Sequence, residues 1–156
     1  MPQNFNVIIA DTTCFILLDK IGEMDLLKSV WGRITTTPVI ASEFGTPLPD
    51  WIDIIHVRDV QLQKTLQIEV DPGEASAIAL AIELAPALLI LDDLEARRLA
   101  KQLNLNFTGT LGLILRAKKS GHITLIKPLM DKIQSTNFRI SDKLCAEFLI
   151  QAGEAF

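Results

Sequence analysis

The sequence has few cysteines and no segment that resembles a membrane anchor. Cys14 and Cys145 lie in apolar surroundings and belong to no CxxC or Cys/His pattern, which favours reduced core thiols over a zinc site. The longest apolar stretch, residues 75–91, is interrupted by Glu83 and Pro86 and does not predict a membrane span. The opening residues carry no basic segment of the kind that begins a signal peptide. We therefore expect a cytoplasmic protein.

Positive charge is also scarce. The chain has 15 Lys and Arg against 19 Asp and Glu, a net charge of −4, whereas nucleic-acid-binding proteins usually present a basic surface. A protein whose acids hold a cation escapes that rule, because the bound ion is the largest local positive charge. Hydrophobic residues make up 49% of the 156 residues, which is enough for one sizeable core. We expect a single domain over 1–156, with its core at about 5–120 and additional helices at about 124–152.

Short apolar runs alternate with helix-forming segments along the chain. The runs NVIIA (6–10) and LLIL (88–91) are typical of strands buried on both faces of a parallel sheet. Between them, Asp71 and Pro72 predict the start of the clearest helix, which is rich in alanine. Strands are predicted at 6–10, 33–37, 52–57, 88–91 and 106–108. This alternation predicts an α/β fold with helices covering a parallel sheet, and such sheets bind ligands beyond the carboxyl ends of their strands.

Acidic residues fall where that rule places a ligand site. Asp11 follows the first strand, Asp92 and Asp93 follow a later one, and Glu43 and Glu74 lie in helices that begin near the same edge. Carboxylates brought together repel one another, and a hard cation such as Mg²⁺ or Mn²⁺ relieves the repulsion. Such ions can bind a phosphate, generate hydroxide and stabilise the leaving oxygen, which is the chemistry of phosphodiester hydrolysis.

Each acid also has a simpler interpretation. Asp11 and Asp93 could cap helices, Glu74 could be favoured by a helix dipole, and Glu43 could be a solvated surface residue. The metal interpretation is favoured because two apolar strands both end in acids.

The chain resembles the PIN-domain nucleases, and more narrowly the prokaryotic PIN-like branch that includes VapC-type toxin ribonucleases. The resemblance is carried by IIADTTCFILLDKIGEMDLL, TTTPVIASEF, DPGEASAIALAIEL and LLILDDLEARRLAKQLNLNFTGTLGLILRAKKSGHI. It implies a three-layer α/β/α sandwich with four or five parallel strands and extra C-terminal helices. It also implies an RNA substrate, a homodimer and, for a toxin, a small antitoxin partner.

The resemblance assigns catalytic roles to Asp11, Glu43, Glu74, Asp92 and Asp93. All of these except Glu43 are the expected ligands of Mg²⁺ or Mn²⁺. Glu74 stands where many PIN nucleases have Asp. Of the Asp92/Asp93 pair we favour Asp93 as the inward-facing acid and retain both.

Four further residues are candidate substrate contacts. Thr110 is predicted to cap a helix and could place its hydroxyl or backbone N–H near a phosphate, while Thr12 adjoins Asp11. Arg97 and Arg98 belong to a basic cluster that could be a solvated face or could follow an RNA backbone.

Two other functions share parts of this pattern. One is a PIN fold that has lost cleavage and only binds RNA or a protein. The other is a phosphoacceptor receiver domain, which needs paired acids after the first strand and a lysine after the last. Here the pair follows a later strand and the last strand ends in Thr-Gly-Thr, so we set the receiver domain aside.

Overall fold

The computed structural model describes residues 4–154, and in that range it contains five strands and nine helices. The strands are β1 (Val7–Ala10), β2 (Ile34–Thr36), β3 (Ile52–Ile54), β4 (Ala87–Ile90) and β5 (Asn106–Thr108). They form one sheet in the order β3-β2-β1-β4-β5, and every neighbouring pair is parallel. The α/β fold with a parallel sheet is therefore confirmed.

The helices lie between and after the strands, as the alternating pattern predicts. They are α1 (Thr12–Lys20), α2 (Asp25–Trp31), α3 (Pro38–Phe44), α4 (Val60–Leu66), α5 (Pro72–Glu83), α6 (Leu94–Gln102), α7 (Thr110–Lys119), α8 (Lys127–Gln134) and α9 (Asp142–Gln151). None of the helices within residues 4–154 is long and apolar enough to cross a membrane.

The core is built around β1 and β4, which pair along their full length with Ile9 opposite Leu89. Both of these side chains are fully buried, as expected for central strands covered on two faces. Helix α5 packs against both strands, and its small alanines allow this close approach. Helix α2 packs on α7, and right-handed crossovers place that pair on the face opposite α5. The result is the three-layer arrangement of a PIN-like fold.

The two C-terminal helices differ in how deeply they are buried against this core. Residues of α8, among them Met130 and Ile133, are buried in the core, whereas α9 has no fully buried residue. The Glu154 carboxylate accepts hydrogen bonds from the backbone N–H groups of Ile126 and Lys127 and from Lys118 Nζ, at 2.7, 3.1 and 2.8 Å. This carboxylate therefore joins the end of the chain to α7 and to the start of α8.

Candidate active site

The site lies at the carboxyl ends of the two central strands. Asp11 directly follows β1 and is only 1% exposed. Its Oδ1 accepts a hydrogen bond from the backbone N–H of Cys14 at 2.9 Å and so caps α1. Its Oδ2 lies 3.4 Å from the backbone nitrogen of Asp92, which donates to it. Asp11 is therefore both a helix cap and a partner of the acid that follows β4.

Burial perturbs both carboxyls of this pair, and the charge of Asp92 further perturbs Asp11. Burial, followed by the charge of Asp92, raises the pKa of Asp11 to about 8, against the lowering effect of its two backbone hydrogen bonds. Burial also raises the pKa of Asp92, although hydrogen bonds from Thr110 and the charge of Arg97 lower it. Near neutral pH, the two groups cannot both ionise at this edge without a cost that a cation would remove.

Asp92 is held in place from the start of α7. The backbone N–H of Thr110 donates to Asp92 Oδ1 at 2.9 Å, and the Thr110 hydroxyl donates to Oδ2 at 2.5 Å. A Cβ added at Gly109 would lie 3.0 Å from Asp92 Oδ1, so a side chain there would crowd the carboxylate. Gly109, not Thr110, is the N-cap of α7. The predicted cap at Thr110 is therefore wrong, and its donor groups bind Asp92 instead.

Asp93 takes the simpler of its two predicted roles. Its Oδ2 accepts a hydrogen bond from the backbone N–H of Ala96 at 2.9 Å and caps α6. The Asp92 carboxylate instead accepts hydrogen bonds from Thr110, while its backbone N–H donates to Asp11. Asp93 is exposed and Asp92 is half-buried next to Asp11, so our proposal below uses Asp92, and a ligand role for Asp93 stays a prediction.

The two glutamates lie beside the aspartate pair. Glu43 Oε1 accepts a hydrogen bond from the Thr12 hydroxyl at 2.6 Å. A Cβ at Gly73 would meet this same oxygen, so glycine at this position leaves room for the Glu43 carboxylate over the start of α5. The next residue, Glu74, is half-buried. Its pKa is raised first by burial and then by the charges of Asp71, Asp93 and Glu43. The structure therefore brings both glutamates to this strand edge.

Buried hydroxyls support the site, and our sequence analysis did not identify them. Thr37 Oγ1 and Ser76 Oγ are 2.7 Å apart, and the Ser76 hydroxyl also bonds the carbonyl oxygen of Gly73 at 2.7 Å. The Thr36 hydroxyl donates to the carbonyl oxygen of Ala10, next to Asp11, at 3.1 Å. Two sequence features could have indicated these hydroxyls: threonines at a strand–helix junction and a single serine in an apolar helix.

The two candidate arginines point to different places. The Arg97 guanidinium lies 5.2 Å from the centre of the Phe107 ring and lines a cavity together with Asp92. Arg98 forms an exposed ion pair with Glu95 at 3.0 Å and lines a separate cavity. Only Arg97 is therefore at the site.

The donor chemistry fits a hard divalent ion, although the side chains do not enclose one as they are placed. Within residues 4–154, no three His, Cys, Asp or Glu side chains lie close enough together to hold a metal. Asp11 and Asp92 offer carboxylate oxygens, and the charge of Glu74 is near enough to raise the pKa of Asp11. These are the ligands that Mg²⁺ and Mn²⁺ prefer, and a divalent charge would offset the repulsion at Asp11.

Comparison with known families agrees with this arrangement. The profile of a family described as PIN domain matches residues 7–154, and the chain therefore belongs to the PIN-domain family. PIN domains are generally nucleases that use divalent metals and act on nucleic acids. No curated protein and no solved structure matches the chain significantly.

Proposed function

We propose that this protein is an endoribonuclease that uses Mg²⁺ or Mn²⁺ to hydrolyse RNA phosphodiester bonds. The observation that carries the proposal is the pair formed by buried Asp11 and half-buried Asp92, where the pKa of Asp11 is raised to about 8. Two acids brought together at the carboxyl edge of a parallel sheet repel one another and destabilise the fold, and a cation bound between them would relieve the repulsion. Family membership supports the same chemistry.

The residues around the pair have separable roles in this proposal. Asp11, Asp92 and Glu74 would hold the ion, which when bound lowers the pKa of a water molecule and neutralises phosphate charge. Thr110 fixes the orientation of Asp92 through its two hydrogen bonds. Thr12 holds Glu43 beside the site, where the carboxylate can accept a proton from the attacking water.

The test is hydrolysis of single-stranded RNA across a titration of Mn²⁺ and Mg²⁺. Cleavage should need the metal and stop with chelator. Asp11→Asn removes a charge with little change of shape and should abolish cleavage. The control is Asp131→Asn, because Asp131 is exposed on α8 and pairs only with Lys127. If Asp11→Asn cleaves as fast as wild type, the assigned site is wrong.

A second candidate is a PIN fold that binds RNA or a protein without cleaving RNA. It is favoured by one observation, that no three acidic side chains within residues 4–154 converge closely enough to hold a metal. The Thr110 hydroxyl also occupies an oxygen of Asp92 that an ion would use, and the Thr12 hydroxyl occupies an oxygen of Glu43 that would accept the proton. RNA binding that persists without cleavage at every metal concentration would establish this function.

The finer proposals concern assembly and context. We propose a homodimer, supported by the apolar residues Val60 and Ile68, which are 53% and 83% exposed. A monomer in light scattering at micromolar concentration would contradict it. A toxin role with a small antitoxin partner rests on the resemblance alone, and a cytoplasmic location stays an expectation from the sequence. A neighbouring short reading frame for a small DNA-binding protein would support the toxin role.

A further inference from the structure

A cavity of about 480 Å³ lies beside the candidate active site, between α7 and the C-terminal segment. It shares Asp92 with the acidic pair and is lined at the same edge by Thr108 and Gly109. Most of its remaining wall is apolar, formed by Leu94, Leu111, Phe138, Ile140, Leu144 and Phe148. The proposed cleavage chemistry uses Asp92 and leaves the rest of this cavity without a role.

The mouth of the cavity exposes apolar surface that the fold does not need. Leu94 is 72% exposed and Leu144 is 40% exposed, although both line the cavity. Helix α9, which carries Leu144, has no fully buried residue. Apolar side chains left open around a concavity mark a binding site more often than a folding defect.

The charge of the lining indicates an anionic ligand. Arg97 and Arg139 both line the cavity, and Asp92 is the one acid among the lining residues. The Arg97 guanidinium is stacked on Phe107, and it makes no hydrogen bond to any residue in the part of the chain that the structure describes. Arg139 uses Nη1 to bond two carbonyl oxygens at the end of α8, which fixes its guanidinium in place. The cavity thus combines an apolar wall with two positive charges.

We propose that this cavity binds the nucleobase of the RNA nucleotide adjacent to the phosphate that an ion at Asp11 and Asp92 would bind, with Arg97 contacting that phosphate. The proposal rests on the ribonuclease function proposed above. A base presents a flat face to aromatic side chains such as Phe138 and Phe148, and its phosphate supplies the negative charge. The volume of about 480 Å³ is within the range of small-molecule sites.

The shared residue Asp92 makes this occupant more suitable than a protein helix. Because Asp92 lines the cavity, a phosphate bound by an ion at Asp92 would have its own nucleoside at the cavity entrance. A partner helix would need apolar anchors spaced over several turns and would leave both guanidinium groups without an anionic partner.

The test uses two charge-matched variants on α9. Leu144→Asp places a negative charge on the cavity wall, whereas Ile150→Asp places it at a residue that is 65% exposed and does not line the cavity. Each substitution is combined with Asp11→Asn, which is expected to prevent cleavage. The affinity of each protein for a short fluorescein-labelled single-stranded RNA is then measured by fluorescence anisotropy. Leu144→Asp should weaken binding roughly 10- to 100-fold, which corresponds to the loss of one stacked base, and Ile150→Asp should change it little.

A scan of abasic RNAs provides a measurement that does not depend on the α9 variants. With Asp11→Asn alone, removal of one particular base should weaken binding, and the Leu144→Asp variant should no longer distinguish that RNA from the intact one. The base site would be overturned if Leu144→Asp and Ile150→Asp bound RNA with equal affinity and no abasic position weakened binding. The cavity would then be a candidate site for a protein partner. Failure of the wild-type protein to cleave RNA at any Mg²⁺ or Mn²⁺ concentration would instead overturn the ribonuclease proposal, so the two failures are distinguishable.

Discussion

The stability of the metal-free protein should depend on pH through Asp11, and Asp11→Asn should remove that dependence. The pKa of Asp11 is about 8 in the folded protein and near 3.8 in the unfolded chain. The folded state therefore keeps a proton that the unfolded state releases between these two values. Stability is highest below the unfolded pKa and falls as pH rises to the folded pKa.

The size of the effect follows from the shift. A difference of about 4 pH units, at about 1.36 kcal/mol each, costs the folded state on the order of 5 kcal/mol once the pH reaches about 8. Asparagine avoids this cost because it is neutral. It can still accept the hydrogen bond from Cys14, but its amide group would face the backbone N–H of Asp92 and lose that bond, which costs about 1–3 kcal/mol.

The ionisation cost and the lost hydrogen bond together predict that the stability curves of wild type and Asp11→Asn cross as pH rises. At about pH 3, below the unfolded pKa, the Asp11→Asn variant should be less stable than wild type by about 1–3 kcal/mol, and at about pH 8 it should be more stable by roughly 2–4 kcal/mol. Urea unfolding in chelator across this range measures both curves, with Asp131→Asn as a control that should run parallel to wild type. A difference that stays constant with pH would refute the reasoning, because Asp11 would then ionise alike in both states.

Three other substitutions test the remaining parts of the site and the C-terminal segment. Glu74→Gln should raise the melting temperature of the metal-free protein, because one repulsive charge is removed, and should reduce the stabilisation by Mn²⁺. A lower melting temperature with no response to Mn²⁺ would contradict the metal site. Asp93→Ala should lower stability in urea unfolding by about 1 kcal/mol, because a helix cap is lost, and should retain cleavage, whereas Asp92→Asn should abolish cleavage. Cleavage that survives Asp92→Asn and is lost in Asp93→Ala would show that Asp93 is the ligand. Glu154→Gln should lower stability by about 1–3 kcal/mol and speed hydrogen exchange at the backbone N–H of Ile126; unchanged exchange would show that this carboxylate does not hold α8.

The central part of the fold was predictable because burial on both faces leaves a strong sequence signal. The runs at 6–10 and 88–91 have no polar interruption, and both form central strands. The edge of the sheet was less predictable. The segment predicted at 52–57 forms a strand only at Ile52–Ile54, because β3 has a neighbour on one side only and its pairing ends with β2.

The orientation of the acids could not be read from the chain, because it depends on partners far away in sequence. Asp92 and Asp93 are adjacent and chemically identical. Asp93 is fixed by Ala96, three residues further on, which is a local capping signal. Asp92 is fixed by Thr110, eighteen residues further on, where β5 ends beside β4. Only the register of the sheet brings that threonine to the site.

Asp11 shows why the simple and the functional interpretations of an acid need not compete. A carboxylate has two oxygens, and each can satisfy a different requirement. One oxygen of Asp11 caps α1, which fixes the side chain at the end of β1, and the other meets Asp92. The cap thereby holds the carboxyl in a buried position that it would otherwise leave by rotating towards solvent. Local helix capping and the raised pKa of Asp11 are therefore consequences of the same placement, and a sequence pattern typical of one does not argue against the other.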